Sequence, residues 1–568
     1  MRSWLPLLAL LGCGGPPTAD SSVGVSIEML SDSDRLLRIS MALRGVRPDH
    51  DDYAQIAADP DLLEAIVDDW LDDPLFGETV KDMWAEALLI RADTEPLLLS
   101  SGIAEGVPSE EVFGAMSESS LRLIENVVMN DAPFHEIVTA DYVMTNALLS
   151  EMYGTSYEIG GSEWQETRWL DTRPTAGVLS DNGLWMRFPS NGSNFHRGRA
   201  AFVAKTFLCD DFNTRDVDID GGIDLSNDQA VAEAVTTIPT CVGCHQALEP
   251  LAAFFWGYRD DVLRTGQFRA YRYGCQGEYG DYCYPLGFWK PEREDDWISH
   301  GLTAPGYFGA PAERFTDLGE YIAGDSRFAT CTARRFHAYL TQGLLLEAPL
   351  AQINPLRDEL VTSGFDAKAL AKAVVMHPSF AVARHTEGSD GTWPAMQVIR
   401  PEQYARTLFA FTGFRLRVAP GSTFDGVFRD VDLGITDRFG FRAMSGGVDG
   451  LQVTQPTHVP TPTKVMVMRF LATESAGFVV ENALAGGPWG AALFTEVDNL
   501  VEPTKTEVRA QIIDLHARIL GEFLDFDDPE ITRTVALYDE AISRGLNPPD
   551  AWKQVLSALF QDPRMMFY

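Results

Sequence analysis

The chain has 568 residues, and its 82 Asp and Glu against 45 Lys and Arg give a formal net charge of −37 at pH 7. This charge argues against nucleic acid and anionic membrane surfaces as partners and favours cationic partners, although an acidic exported surface with no particular partner explains it equally well. At about 150 residues per domain, the length predicts three or four globular units.

The N-terminus is typical of an exported bacterial lipoprotein. Arg2 precedes a short apolar stretch, residues 4–11, and residues 10–13 read Leu-Leu-Gly-Cys. This run is similar to a lipobox, in which the cysteine becomes the lipidated first residue of the mature protein. We therefore expect a signal peptide over 1–12, lipidation at Cys13 and a flexible tether over 13–30. Cleavage without lipidation and a start site placed too late are the alternatives.

The remaining sequence predicts no membrane span. The most apolar stretch, residues 465–485, contains Arg469, Glu474 and Glu481, and a spanning helix needs about 18 or more apolar residues with few or no charges. The expected membrane contact is the lipid anchor alone. The expected location is the bacterial cell envelope, periplasmic or surface-exposed, with the outer membrane as first choice.

Hydrophobic periodicity predicts helices through the first 210 residues. Apolar residues recur at helical spacing in six stretches, which are residues 34–43, 62–71, 77–89, 116–128, 134–153 and 199–208. Gly45 and Pro48 end the first helix, and the run Asp72-Asp73-Pro74 separates the second from the third.

An acidic loop is a candidate calcium site. Residues 216–221 read Asp-Val-Asp-Ile-Asp-Gly, and a further carboxylate follows at Asp224. Alternating carboxylates with Gly in the sixth place fit the first half of an EF-hand-type loop, so Asp216, Asp218, Asp220 and Asp224 are the predicted ligands. The twelfth place is Asn227 where a bidentate Glu would be usual. The alternative is an acidic loop before a helix capped by Ser226.

The strongest motif is the run Cys241-Val242-Gly243-Cys244-His245. A C-x-x-C-H run attaches haem c covalently, because the two thiols add to the porphyrin vinyl groups while the adjacent imidazole reaches the iron. With this composition, roughly 0.0015 such runs are expected by chance. The alternatives are a disulfide, a thioredoxin-like redox pair, and a zinc site, which would need two further ligands.

The second axial ligand of the iron decides the function that such a haem would have. No Met lies between His245 and Met376, so the first choice is Met186, followed by His196, His300 and Met376. Met186 is equally explained as a core residue, and His196 as a helix cap or a partner of a haem propionate. A saturated iron favours electron transfer to a redox partner protein, and an open site favours peroxidase- or oxidase-type catalysis. A surface binding protein with a structural haem is a third option.

Export also accounts for the other cysteines. Cys209, Cys275, Cys283 and Cys331 remain once the lipid and haem cysteines are set aside, and an even number in an oxidising compartment predicts two disulfides with three connectivities. We favour Cys275 with Cys283, and Cys209 with Cys331. Buried free thiols are the alternative.

Several blocks of sequence resemble one family. They are residues 38–45 with Pro48, 73–77, 134–142 with Asn146, 153–154, 177–180, 196–199, 249–251, 257–259, 317–318 and 328–331 with Tyr339 and Gly343. In this order they are similar to the multi-domain cytochrome c proteins of the planctomycete and myxobacterium type, and they cover most of residues 31–385. Glu249 stands where that group usually has Asp. The resemblance implies a lipid-anchored or secreted c-type cytochrome of mainly helical fold.

The predicted fold class is therefore mainly α, with a helical cytochrome c-like haem domain flanked by helical domains. The expected divisions are an N-terminal helical domain over 31–155, the haem domain over 156–290, a helical domain packed on it over 291–390 and a mainly helical C-terminal domain over 391–568. Residues 424–453 suggest a small β or irregular insertion, and residues 454–457 with 460–462 suggest a Pro/Thr linker. Residues 551–568 are similar to 373–380, as a diverged repeat would be. No chemistry is assigned to the C-terminal domain.

Overall fold

The computed structural model describes residues 27–91, 109–188, 190, 194–215, 227–258, 288–385, 396–417, 432, 434 and 440–568. Within these parts of the chain, 23 α-helices and six short strands form a mainly helical fold. The predicted class, mainly α, is confirmed.

The N-terminal and central parts contain fifteen of the helices in the described residues. They are α1 (Asp32–Leu43), α2 (His50–Ala58), α3 (Leu63–Leu71), α4 (Pro74–Leu88), α5 (Ser109–Met129), α6 (Ala147–Tyr153), α7 (Asn182–Arg187), α8 (Arg197–Leu208), α9 (Asp228–Thr237), α10 (Pro239–Ala253), α11 (Asp296–Ser299), α12 (Phe315–Gly324), α13 (Ser326–Thr341), α14 (Leu350–Thr362) and α15 (Ala367–Val375). Single 3₁₀ turns lie at Pro60–Leu62, Phe134–Val138, Phe212–Thr214, Pro291–Arg293 and Pro378–Ala381.

The C-terminal part contains the remaining helices of the described chain. They are α16 (Pro401–Thr412), α17 (Phe441–Met444), α18 (Pro462–Leu484), α19 (Pro488–Leu493), α20 (Lys505–Leu515), α21 (Pro529–Ser543), α22 (Pro548–Phe560) and α23 (Pro563–Met566), with a π-helical turn at His516–Leu520. None of the helices in the described segments is both long enough and apolar enough to cross a bilayer.

The strands form three separate antiparallel pairs. The strands are β1 (Ile27–Met29), β2 (Val143–Thr145), β3 (Gln165–Thr167), β4 (Gly306–Tyr307), β5 (Ala310–Pro311) and β6 (Val382–His385). They pair as β1 with β6, β2 with β3, and β4 with β5. The first pair joins the start of the described chain to residue 385, with Ile27 opposite His385.

Two hydrophobic cores hold the helices together. The first contains buried side chains from Leu36 to Phe380. The second contains side chains from Ile399 to Met565, together with Leu37 and Met41. Residues on both sides of the predicted divisions at 155/156 and 290/291 contribute to the first core, and those divisions stay predictions.

Helix α1 lies between the two cores. Leu36, Ile39 and Leu43 belong to the first core, while Leu37 and Met41 belong to the second. Both sets follow helical spacing, since residues three or four apart share a face. One helix with two apolar faces therefore packs on both cores.

Buried charges also join the two cores. Asp82 of α4 accepts hydrogen bonds from Arg91 at 2.7 Å and from Arg406 of α16 at 2.7 Å. Glu86, one helical turn later in α4, pairs with Arg400. Burial opposes ionisation of Asp82, but Arg406 and Arg91 outweigh it and hold its pKa below the usual value.

One local prediction was wrong. Residues 134–153, expected as one helix, form a 3₁₀ turn, strand β2 and helix α6, with Asn146 capping α6 by accepting from Leu149 N–H. The expected Pro/Thr linker, residues 454–457 with 460–462, has no helix or strand up to Thr461, which caps α18, and Pro462 is the first residue of that helix. Proline suits a first helical position because its missing N–H has no partner there in any case.

Candidate functional site

The C-x-x-C-H run lies in the first two turns of α10. Ile238 precedes the helix in an extended conformation, and Pro239 is its first residue. Cys241, Cys244 and His245 follow at positions that share one face, because residues three and four apart are neighbours on a helix. Cys241 and Cys244 are both free and partly exposed. The structure therefore presents two unlinked thiols beside one imidazole.

His245 is held by a carboxylate of its own helix. Its Nδ1 lies 2.6 Å from Oε1 of Glu249, and the two side chains are 24% and 13% exposed. Burial opposes ionisation of Glu249, but hydrogen bonds from His245 and Arg197 outweigh it, so its pKa is lowered. An ionised carboxylate only accepts hydrogen bonds, so Nδ1 of His245 carries the proton and Nε2 is free to bind a metal.

Helix α8 packs against α10 and supplies partners at both ends of the motif. Arg197, its first residue, donates from Nε to Oε1 of Glu249 at 2.7 Å. Beyond the other end of α8, Asp210 accepts hydrogen bonds from Arg215 and raises its pKa, and the nearby Cys244 sulfur adds to this shift. Sequence reasoning noticed Glu249 only as a departure from a family pattern and missed both arginines. The spacing of Glu249, four residues after His245, was the available signal for the first contact.

The residues considered as second ligand lie in different surroundings. Met186 is 2% exposed and belongs to the first core. His196 is 1% exposed, its Nδ1 lies 3.3 Å from the Arg199 guanidinium, and its ring meets Trp256 edge-on at 5.0 Å. Burial, then the charge of Arg199, lower the pKa of His196 well below its usual value.

The other two residues are less enclosed. His300 is exposed and stacks on Trp256 at 5.0 Å. Met376 is partly buried against the first core. The structure brings His196 and His300 together around one tryptophan, and none of these contacts places a second ligand against His245. The identity of the second ligand stays a prediction.

A disulfide closes a long loop around the motif. Cys209, directly after α8, is joined to Cys331 of α13, with Cα atoms 5.4 Å apart and a sequence separation of 122. This is the pairing that the sequence analysis favoured. The predicted lipidation at Cys13, the calcium loop at Asp216, Asp218, Asp220 and Asp224, and the pair Cys275 and Cys283 lie outside the described residues.

One further cluster of metal-ligand types lies in the described C-terminal part. His516, Glu522 and Glu530 have ligand atoms within 4.8 Å of one another. Arg564 pairs with both carboxylates, and His516 Nε2 lies 2.9 Å from Thr534 Oγ1. The arrangement is an ion-pair network that fixes the end of the chain, and Arg564 already supplies its positive charge.

No protein-family model, curated protein or solved structure matches this chain. The resemblance to multi-domain cytochrome c proteins therefore stays an interpretation of the sequence blocks.

Proposed function

We propose that this protein is an exported c-type cytochrome, anchored by a lipid at Cys13, that binds one haem covalently and transfers electrons to a redox partner protein. The observation that carries the proposal is the face of α10 on which two free thiols lie beside an imidazole whose Nδ1 is already held. Cys241 and Cys244 would form the thioether bonds, and Nε2 of His245 would bind the iron. When bound, haem supplies a one-electron iron couple.

The chemistry of these side chains fits haem better than a structural disulfide or a zinc site. A structural disulfide would join Cys241 to Cys244, and both cysteines are free. A structural zinc site would collect four ligands. In the described parts of the chain, the group of three or more ligand residues that lie close enough together is His516, Glu522 and Glu530, which includes neither cysteine.

Each residue of the site has a defined task in this proposal. The two cysteines would hold the cofactor against α10. Glu249 accepts the hydrogen bond of His245 Nδ1 and would orient the ring so that Nε2 could bind the iron. Arg215 lies near the Cys244 sulfur and is held there by Asp210, which accepts its hydrogen bond at 2.7 Å.

The test is covalent haem attachment in a host that matures c-type cytochromes. The wild-type chain should retain haem after denaturation, and Cys241→Ser and Cys244→Ser should each leave a single thioether, with a shifted reduced α-band. The double variant should lose covalent haem. Cys275→Ser, which changes a cysteine outside the motif, should retain both bonds.

The outcome that contradicts the proposal is a wild-type chain without covalent haem, or a double variant that keeps it. A reduced α-band unaffected by carbon monoxide supports electron transfer. A high-spin spectrum that changes with carbon monoxide would replace electron transfer by a haem enzyme of peroxidase or oxidase type.

A further inference from the structure

Three side chains from two helices form a continuous hydrogen-bonded chain at the site. His245 Nδ1 donates to Oε1 of Glu249 at 2.6 Å, and Arg197 Nε donates to the same oxygen at 2.7 Å. One oxygen atom of Glu249 therefore receives two donors. Arg197 lies 52 residues before Glu249, so the contact depends on the packing of α8 against α10.

The position of Glu249 is fixed on both sides of the residue. Leu248 and Leu251 are buried in the first core, and Pro250 is a proline inside the helix. A Cβ atom added to Gly306 of β4 would lie 3.3 Å from the Cβ of Pro250, so the strand packs closely on this turn. These contacts hold Glu249 in place one helical turn after His245.

A partly buried carboxylate changes what the imidazole can do. With Glu249 and His245 only 13% and 24% exposed, the hydrogen bond is stronger than it would be in open water. A carboxylate that accepts from the second nitrogen of a ligating histidine fixes the orientation of the ring and raises its basicity. A more basic ligand stabilises the oxidised, more positive metal, which lowers its reduction potential.

We propose that Glu249 is a positioning residue that sets the reduction potential of the haem iron through His245, and that Arg197 moderates this effect by sharing the same carboxylate oxygen. The inference rests on the proposed haem attachment at Cys241 and Cys244. The potential of this haem would be lower with the hydrogen bond than without it, which favours transfer of its electron to an acceptor.

The first experiment needs no haem. With ¹⁵N-labelled histidine, the ring nitrogens of His245 in the haem-free chain should show the proton on Nδ1, with a low-field signal for the proton that Glu249 accepts. The signal should be lost in Glu249→Gln and retained, at a shifted position, in Glu249→Asp. A His245 signal unchanged by Glu249→Gln would overturn the contact on which the inference depends.

The second experiment measures the reduction potential of the haem-loaded variants. Glu249→Gln should change the equilibrium between oxidised and reduced iron at least tenfold in favour of the reduced form, which is 59 mV for a one-electron couple. Glu249→Asp should restore part of the wild-type value. Arg197→Gln should shift the potential in the opposite direction, because it leaves the carboxylate to His245 alone.

A matched control separates the hydrogen bond from a general charge effect. Glu233→Gln makes the same chemical change at an exposed position of α9, which packs against α10, and it should alter the equilibrium less than threefold. Equal shifts for Glu249→Gln and Glu233→Gln would refute the inference while covalent haem remained intact. Absence of covalent haem would refute the proposed function instead, and the haem-free experiment would still decide whether Glu249 holds His245.

Discussion

The disulfide between Cys209 and Cys331 should contribute strongly to the stability of the first core. It closes a loop of 122 residues, and the loop-entropy relation gives about 5 kcal/mol for a loop of that length. The segment that contains the first core, residues 27–385, has roughly 360 residues, for which the entropy of unfolding is about 0.75 kcal/mol/K. Loss of the bond should therefore lower the midpoint of thermal unfolding by about 7 °C.

Calorimetry of the variant Cys209→Ala/Cys331→Ala measures this effect. Cys331 is 1% exposed, so removal of its sulfur also leaves a small cavity in the core. Wild-type protein treated with a reductant keeps both sulfur atoms and serves as the control. If reduction of this bond leaves the midpoint unchanged while the variant is destabilised, the effect is packing, and the loop-entropy reasoning is wrong.

Two further predictions concern stability. Burial, then the charge of Arg400, lower the pKa of Lys464 to about 8. Between that pH and about 10.5 the unfolded chain keeps a proton that the folded chain has released, so the free energy of unfolding should rise with pH by up to about 3 kcal/mol. Urea unfolding across this range should show the rise, and Lys464→Met should remove it. Gly177 has φ +53°, and an added Cβ would lie 2.1 Å from the Ile137 carbonyl oxygen, so Gly177→Ala should cost about 2–4 kcal/mol. Gly545→Ala, at φ +90° in open space, should cost only about 1 kcal/mol, and equal losses in urea unfolding would contradict the clash.

Apolar periodicity in the sequence correctly predicted helices whose buried face is marked by residues close together in the chain. The expected helix over 34–43 is observed as Asp32–Leu43, and that over 199–208 as Arg197–Leu208, because apolar periodicity marks the face that a helix buries. The prediction of one helix over residues 134–153 was wrong because the apolar residues of this segment reach the first core from a 3₁₀ turn, a strand and a short helix. Burial there is set by partners distant in sequence, which periodicity does not reveal.

The candidate site shows the same division between local and distant contacts. The positions of Cys241, Cys244 and His245 on one helix face follow from their spacing alone. The contact from Arg197 to Glu249 spans 52 residues and depends on how two helices pack. The positive charge that Arg197 brings to Glu249, the partner of His245, therefore follows only from the packing of α8 against α10.

Residues at both ends of helix α8 contact the surroundings of the C-x-x-C-H motif. This arrangement connects the disulfide structurally to the candidate site. At its N-terminal end, Arg197 reaches the carboxylate that holds His245. At its C-terminal end, Cys209 is joined to α13, and Asp210 accepts from Arg215 at 2.7 Å, beside the Cys244 sulfur. The covalent loop that starts at Cys209 contains α10 itself. A shift of α8 would therefore disturb the histidine side and the cysteine side of the motif at once, and the disulfide restrains that shift.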